Sequence, residues 1–445
     1  MQIHTVKASK PKRLRRFACL SYLDVVNNFN TFYIKYFFKN DSNAPDFMSF
    51  EKLINQLTLV LNEYEELSGS LEFDKSSSSV GIRYDNKGVL VSREDINVDF
   101  NELEKSSFSI QSISMGSEWN SRETSIDATD DISKRFLLEL HFKYLAFNSG
   151  LVLVVGFNHS VIDGFGLFMF LKDWASSVKT GMVRNLNLRH TRTNFNRTHN
   201  SDTNDYHGLR LIQKNEAKNE STDSTLAYSQ FFLSKSKIES LKRKIADEFG
   251  HDLYFSFIDY LSAVFLKSIA KMRIERREIS ITENFRIHIA VDIRKRTSQH
   301  LTDYFGNAFL HTALSSSAAD LSNIDTCELM REFRAMLNNI NHRSVEPLLS
   351  FIHKQRLKYA ITYDIDFEKD VLVVDWSRFD VYNVNFGWER PQHLAITKYP
   401  FPSTCYILNG REEGSLCITF ILHDKDQVFF KNEDIFQIIS ESADE

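Results

Sequence analysis

Three observations predict an α/β protein of two similar domains. The chain has 445 residues, which is too long for one ordinary domain. Strand-type and helix-type patterns occur together in both halves. Between them, residues 185–225 are polar, rich in Asn and Thr and poor in aliphatics, as a crossover or linker would be. The expected domains are therefore 1–184 and 226–445.

In the first half, Ser49 is a plausible N-cap for a helix near 49–64. Phe50, Leu53, Leu57, Val60, Leu61 and Tyr64 recur there at helical spacing. "LELHFKYL" alternates, with Leu138, Leu140, Phe142 and Tyr144 on one face and Glu139, His141 and Lys143 on the other. That pattern predicts a half-buried strand. "FNSG" (147–150) follows as a turn, then "LVLVVGF", apolar on both faces and so the central member of a hairpin. Leu167, Phe170, Leu171, Trp174 and Val178 share a helical face that Gly181 ends. In the second half, "SKSKIESLKRKIADE" reads as a helix. "SFIDYLSAVFLKSIAKM" reads as another, capped by Ser256. The strand "RIHIAVDI", a helix around 325–338 and several strands between 371 and 422 complete it.

Composition narrows the classes of function. The chain is 42% hydrophobic and 25% charged, and no apolar run reaches the roughly 18 to 20 residues that a membrane span needs. The N-terminus lacks the apolar core of a secretory signal. Cys19, Cys327, Cys405 and Cys417 are scattered without metal-ligand spacing, so reduced thiols in a cytoplasmic protein, and no metal site, are expected. A net charge of −5 argues against nucleic acid as a partner. The local basic run Lys7, Lys10, Lys12, Arg13, Arg15 and Arg16 reads as a solvated segment.

The stretch that carries chemistry is "VLVVGFNHSVIDGFG", residues 152–166. A buried strand ends on His159 where a helix-bearing turn begins. Neutral imidazole is the side chain best matched to accept a proton near pH 7. Asp163 is awkwardly placed to aid that transfer; buried, it needs a cation, most plausibly an arginine from elsewhere. Gly164 leaves room for a substrate to approach. Neither a Gly-x-Ser-x-Gly elbow nor a Cys–His pair accompanies the histidine, which favours a general base over a covalent nucleophile. On these residues alone, a histidine capping a strand and an aspartate opening a turn stay an open alternative.

"NHSVIDGFG" resembles the His-x-x-x-Asp-Gly motif of the BAHD acyltransferases, which are related to chloramphenicol acetyltransferase and to condensation domains. "LSYLD" (20–24), "VDIRKR…YFGNA" (291–308) and "DWSRFDVYNVNFGWERP" (375–391) resemble further motifs of the family in the same order. The resemblance implies two chloramphenicol-acetyltransferase-like domains, each a mixed sheet flanked by helices, with an active-site channel at their interface. It implies an acyl-CoA co-substrate, no bound cofactor, a monomer and a place in secondary metabolism. His159 would deprotonate an acceptor hydroxyl or amine, which attacks the thioester. The resemblance offers Trp388 as oxyanion donor, although a tryptophan wedged in the interface reads equally well. It makes Asp163 structural, with Arg294 as its expected cation and Arg296 as the weaker choice or an ordinary exposed charge. Asn307 and Ala308 would line the pantetheine or acyl path. Lys242 and Ser256 are further candidates for CoA contacts, Lys242 also reading as a solvated helix face.

The chain departs from the family pattern at Asn385 and Glu389, where an aspartate and a glycine are usual. A missing charge there would require an amide hydrogen bond at the domain interface instead. Two alternatives follow: a condensation-like enzyme with a carrier-bound donor, and a relative that only binds or regulates.

Overall fold

The computed structural model describes all residues except 27–30, 75–78, 107, 109–131, 185–187, 189–191, 193–207, 214–225, 250–255, 299–300, 356–358, 367–368, 398–401, 432–434, 436–437 and 440–445. Two six-stranded mixed sheets dominate it. The first runs in the order Gln2–Val6, Val89–Ile96, Leu138–Leu145, Gly150–Asn158, Thr31–Lys39, His393–Thr397. The second runs Leu226–Leu233, Leu416–His423, Thr404–Asn409, Val371–Trp376, Asn284–Asp292, Phe309–Ser317. The expected hairpin is present: Leu138–Leu145 pairs antiparallel with Gly150–Asn158 across a turn in which Phe147 and Asn148 adopt positive φ. Thr31–Lys39 flanks the other side, so the strand leading to His159 is central and buried along its whole length.

One face of this sheet packs on helices Phe50–Val60 and Gly164–Thr180. Leu53, Leu57, Phe170, Leu171 and Trp174 meet Ile34, Phe38, Leu140 and Val155 there. The first helix starts on its expected signal but ends at Val60, short of the expected 64, and the second stops where expected. Ser49 caps the first, and Gly181 closes the second in the left-handed conformation at φ 72°.

The opposite face departs from expectation. Glu139, His141 and Lys143 are buried, not solvated. A second apolar layer that includes Phe100, Leu103 and Phe108 packs on that face, so period-two alternation separates two buried faces rather than core from water. The polar side chains are satisfied laterally. The Tyr33 hydroxyl donates to Glu139 at 2.9 Å, His141 bonds Ser92 at 2.8 Å, and Lys143 pairs with Glu94. Burial and the neighbouring Lys143 push the Lys35 ammonium down to about 8.

The expected split at 185–225 is crossed twice. His393–Thr397, from the second half, pairs antiparallel with Thr31–Lys39 and forms the edge of the first sheet. Leu209–Gln213, inside the expected linker, pairs with Tyr359–Tyr363. In the second sheet Val371 and Val373 pack into a core with helices Phe257–Glu275 and Thr326–Asn339. The alternating Leu372 and Val374 join the first half's core. The two halves thus share one apolar interface.

Phe386 is a keystone of that shared core: fully buried, 4.8 Å from the Trp174 ring and 5.8 Å from Phe38. Phe386→Ala is expected to lower unfolding free energy by about 3–5 kcal/mol in urea denaturation. A loss under about 1 kcal/mol would speak against a single core across both halves.

Candidate active site

The loop after the central strand is pinned at every second residue. Asp163 is the N-cap of Gly164–Thr180, and its Oδ1 accepts from the Gly166 N–H at 2.9 Å. The same carboxylate takes a bidentate contact from Arg294, Nη2 to Oδ1 at 3.0 Å and Nη1 to Oδ2 at 2.9 Å, while the Ala308 N–H donates to Oδ2 at 3.0 Å. Arg294 also donates to the carbonyls of Tyr304 and Gly306 and lies 4.4 Å over the Phe165 ring. Burial works against its charge, but Asp163 and Asp292 outweigh that and its pKa is raised.

Two residues earlier, at Val161, the same device recurs. Asp24, fully buried, is paired with the buried Arg192 at 2.6 Å. Arg192 donates to the Val161 carbonyl at 2.8 Å. Asn307 bridges Asp24, at 2.9 Å, and the His159 carbonyl, at 2.7 Å. His159, Val161 and Asp163 are therefore each fixed by a side chain or backbone group from a distant part of the chain.

His159 itself keeps some exposure, between Asn158 and Ser160, which are fully buried. Its ring is walled by Phe32, Phe309 and Phe157, with centroids at 5.0, 5.5 and 5.8 Å. Its Nδ1 is buried without a hydrogen-bond partner among the described residues. Burial lowers its pKa below the ordinary 6.5. Its own backbone carbonyl, Asp163, Asn307 and Asp24 offset that only in part. Burial thus favours the neutral form of the ring.

Several expected site residues stand elsewhere or do other work. Trp388 is not turned toward His159: its indole N–H points to Asp46 at 3.4 Å, and its ring packs against Phe47 and under the Lys52 ammonium. The tryptophan beside the histidine loop is Trp376, whose indole lies 2.9 Å from where a Cβ on Gly164 would sit. Gly164 therefore makes room for Trp376, not for a substrate. The N–H groups of Asn307 and Ala308 donate to Asp24, His159 and Asp163 and so brace the loop. Ser256 caps Phe257–Glu275 in a reciprocal box with Asp259 and takes a further bond from Arg334, which leaves its hydroxyl committed. Lys242 is an exposed residue of the helix Lys235–Phe249. Arg296 is not a free surface charge, since it donates to the Leu337 and Ile340 carbonyls at the end of Thr326–Asn339. Asn385 Oδ1 closes a local turn on the Gly387 N–H at 2.8 Å, so its bond stays within the motif.

Asp24, Arg192 and Trp376 are the residues that sequence reasoning passes over. Asp24 and Trp376 sit inside conspicuous motifs, where a buried-acid or aromatic role is readable. Arg192 stands in a polar stretch with no periodicity to mark it.

Two mixed sheets with a braced histidine at their junction define a two-domain acyltransferase fold, and comparisons agree. A family model described as the transferase family matches residues 1–436. The chain belongs to that family, the BAHD acyltransferases, and is an enzyme that transfers acyl groups. Shikimate O-hydroxycinnamoyltransferase of Nicotiana tabacum is 24% identical over 92% of each chain. An uncharacterised acetyltransferase of Arabidopsis thaliana is also 24% identical, over 62% of each. Among solved structures, vinorine synthase aligns with a TM-score of 0.74 at 16% identity, covering 99% of this chain and 98% of that one. F. graminearum TRI101 in complex with coenzyme A and deoxynivalenol aligns with a TM-score of 0.76 at 15% identity, covering 95% and 98%.

Asp24→Ala would leave the Arg192 guanidinium buried and uncompensated and free Asn307 from its anchor. Chemical denaturation is expected to record a loss of about 3–5 kcal/mol. A variant as stable as the parent would show that this pair does not hold the loop.

Proposed function

We propose that the enzyme moves an acyl group from an acyl-CoA thioester to a hydroxyl or amine of a small acceptor, with His159 as general base. The observation that carries this reading is a neutral, partly exposed imidazole on a loop pinned at residues 159, 161 and 163. Imidazole takes the acceptor's proton as the oxygen or nitrogen attacks the thioester carbonyl. The tetrahedral intermediate then carries an oxyanion that needs a donor. We assign that donor to Trp376 rather than Trp388, because its indole packs on Gly164 beside the histidine loop. Collapse breaks the carbon–sulfur bond, and the imidazolium returns its proton to the departing CoA thiolate. Asp163 takes no proton; its oxygens are filled by Arg294, Gly166 and Ala308.

A direct transfer, without an acyl-enzyme, fits the side chains around the site. The Ser160 hydroxyl is buried and donates to Asn158 at 2.5 Å. Burial pushes the Cys405 thiol up strongly and the Cys417 thiol up to about 12, so neither supplies thiolate near neutrality. For the donor's phosphates, a cleft of about 500 Å³ lies just past Arg294. Lys295, Arg296 and His342 are among its walls, and the exposed Lys295 ammonium favours a polyanion. Cys19, Cys327, Cys405 and Cys417 are all free thiols, which supports a reducing compartment such as the cytoplasm.

His159→Ala is expected to cut CoA-thiol release by roughly 10²–10⁴-fold while coenzyme A binding survives. Only the neutral ring can accept a proton. The rate kcat/KM should therefore rise with pH through an apparent pKa below 6.5 and stay level above it. An inflection above 6.5, or retained turnover in the alanine variant, would remove His159 from the role of base.

A further inference from the structure

A second histidine, which the reaction above does not use, stands beyond Phe309. Phe309 and His311 lie two residues apart on Phe309–Ser317 and so share a face. The Phe309 ring is 5.5 Å from His159 and 5.6 Å from His311, and His311 packs edge-on against Tyr363 at 4.3 Å. Across the sheet His311 faces Ala290, which fills little of the space before it. His159, Ala290 and Phe309 each keep some exposure between buried strand neighbours. His311 is only 8% exposed, and its Nδ1 is buried with no hydrogen-bond partner among the described residues. Burial, then His288 and His159, push its pKa down to about 3, so the ring is neutral and offers one donor and one acceptor nitrogen. A buried polar atom left unpaired is unfavourable until a ligand supplies the partner. Phe32, Phe309, His311 and Tyr363 bring no cation to this wall, in contrast to the Lys295–Arg296 cleft suited to a polyanion.

We propose that this wall is the acceptor subsite and takes an uncharged aromatic acceptor. One hydroxyl or amine of that acceptor reacts at His159, and a second, on the ring, hydrogen-bonds His311. The assignment rests on the acyltransferase reading. It makes His311 a specificity residue that acts on acceptor binding, not on proton transfer.

Two acceptors that differ only by a ring hydroxyl, tyrosol and phenethyl alcohol, test it. Thiol release is followed with acetyl-CoA, malonyl-CoA and benzoyl-CoA as donors. The parent enzyme is expected to favour tyrosol about tenfold in kcat/KM, the effect of one added hydrogen bond. His311→Phe should erase that preference by raising the KM for tyrosol about tenfold relative to that for phenethyl alcohol. His311→Gln, which keeps a donor and an acceptor, should recover part of the preference, an outcome that a merely structural role would not give. The absence of a preference in the parent overturns the proposal, as does its persistence in a folded His311→Phe. So does failure of both alcohols with an enzyme that acylates other acceptors, which leaves the acyltransferase reading standing. Failure with every donor and acceptor would overturn both.

Discussion

The bidentate contact between Arg294 and Asp163 is the interaction on which the rest of the site depends. One carboxylate caps the helix Gly164–Thr180, receives the Ala308 N–H and pairs with a guanidinium from the opposite half of the chain. Arg294 in turn holds the Tyr304 and Gly306 carbonyls. A buried ion pair contributes little net stability over a well-packed apolar substitute, yet removing one partner is severe, because the other charge is left dry and alone. Such an interaction is better at specifying an arrangement than at adding stability. Here it joins the second half of the chain to the loop that follows the central strand.

The Asp24–Arg192 pair repeats that logic a few residues earlier, and Asn307 ties the two together through the His159 carbonyl. The proposed base is therefore positioned through its backbone, and its Nδ1 has no hydrogen-bond partner among the described residues. Apolar walls of Phe32, Phe157 and Phe309 then set its proton affinity by excluding water. Rigid support and low polarity come from different parts of the sequence and converge on one side chain.

Much of this is legible in the chain because it rests on local signals. Ser49, Ser256 and Gly181 mark helix ends through local hydrogen bonds or a single dihedral. The central strand follows from unbroken aliphatics, and a cation opposite Asp163 follows from the cost of burying a lone carboxylate. What escapes the sequence depends on distant partners. The second buried face under Glu139, His141 and Lys143 arises from a layer added by other segments. The transfer of His393–Thr397 to the first sheet leaves no mark in its composition. Two tryptophans twelve positions apart in one motif are chemically alike. Only the third dimension separates Trp376, lying on Gly164, from Trp388, held by Asp46. Arg192 shows the limit most clearly: the sequence does not distinguish it from Arg189 and Arg197 in the same polar segment, and its role comes from Asp24 and the Val161 carbonyl.

The central claim is that one cross-chain ion pair holds the loop that carries His159. A double-mutant cycle on Asp163→Asn and Arg294→Met, read by urea unfolding, tests it most directly. Each single variant should lose about 3–5 kcal/mol, and the double variant should lose no more than either single, because the second change removes the orphaned charge left by the first. Additive losses, with a coupling near zero, would contradict the account and place the two residues in independent roles.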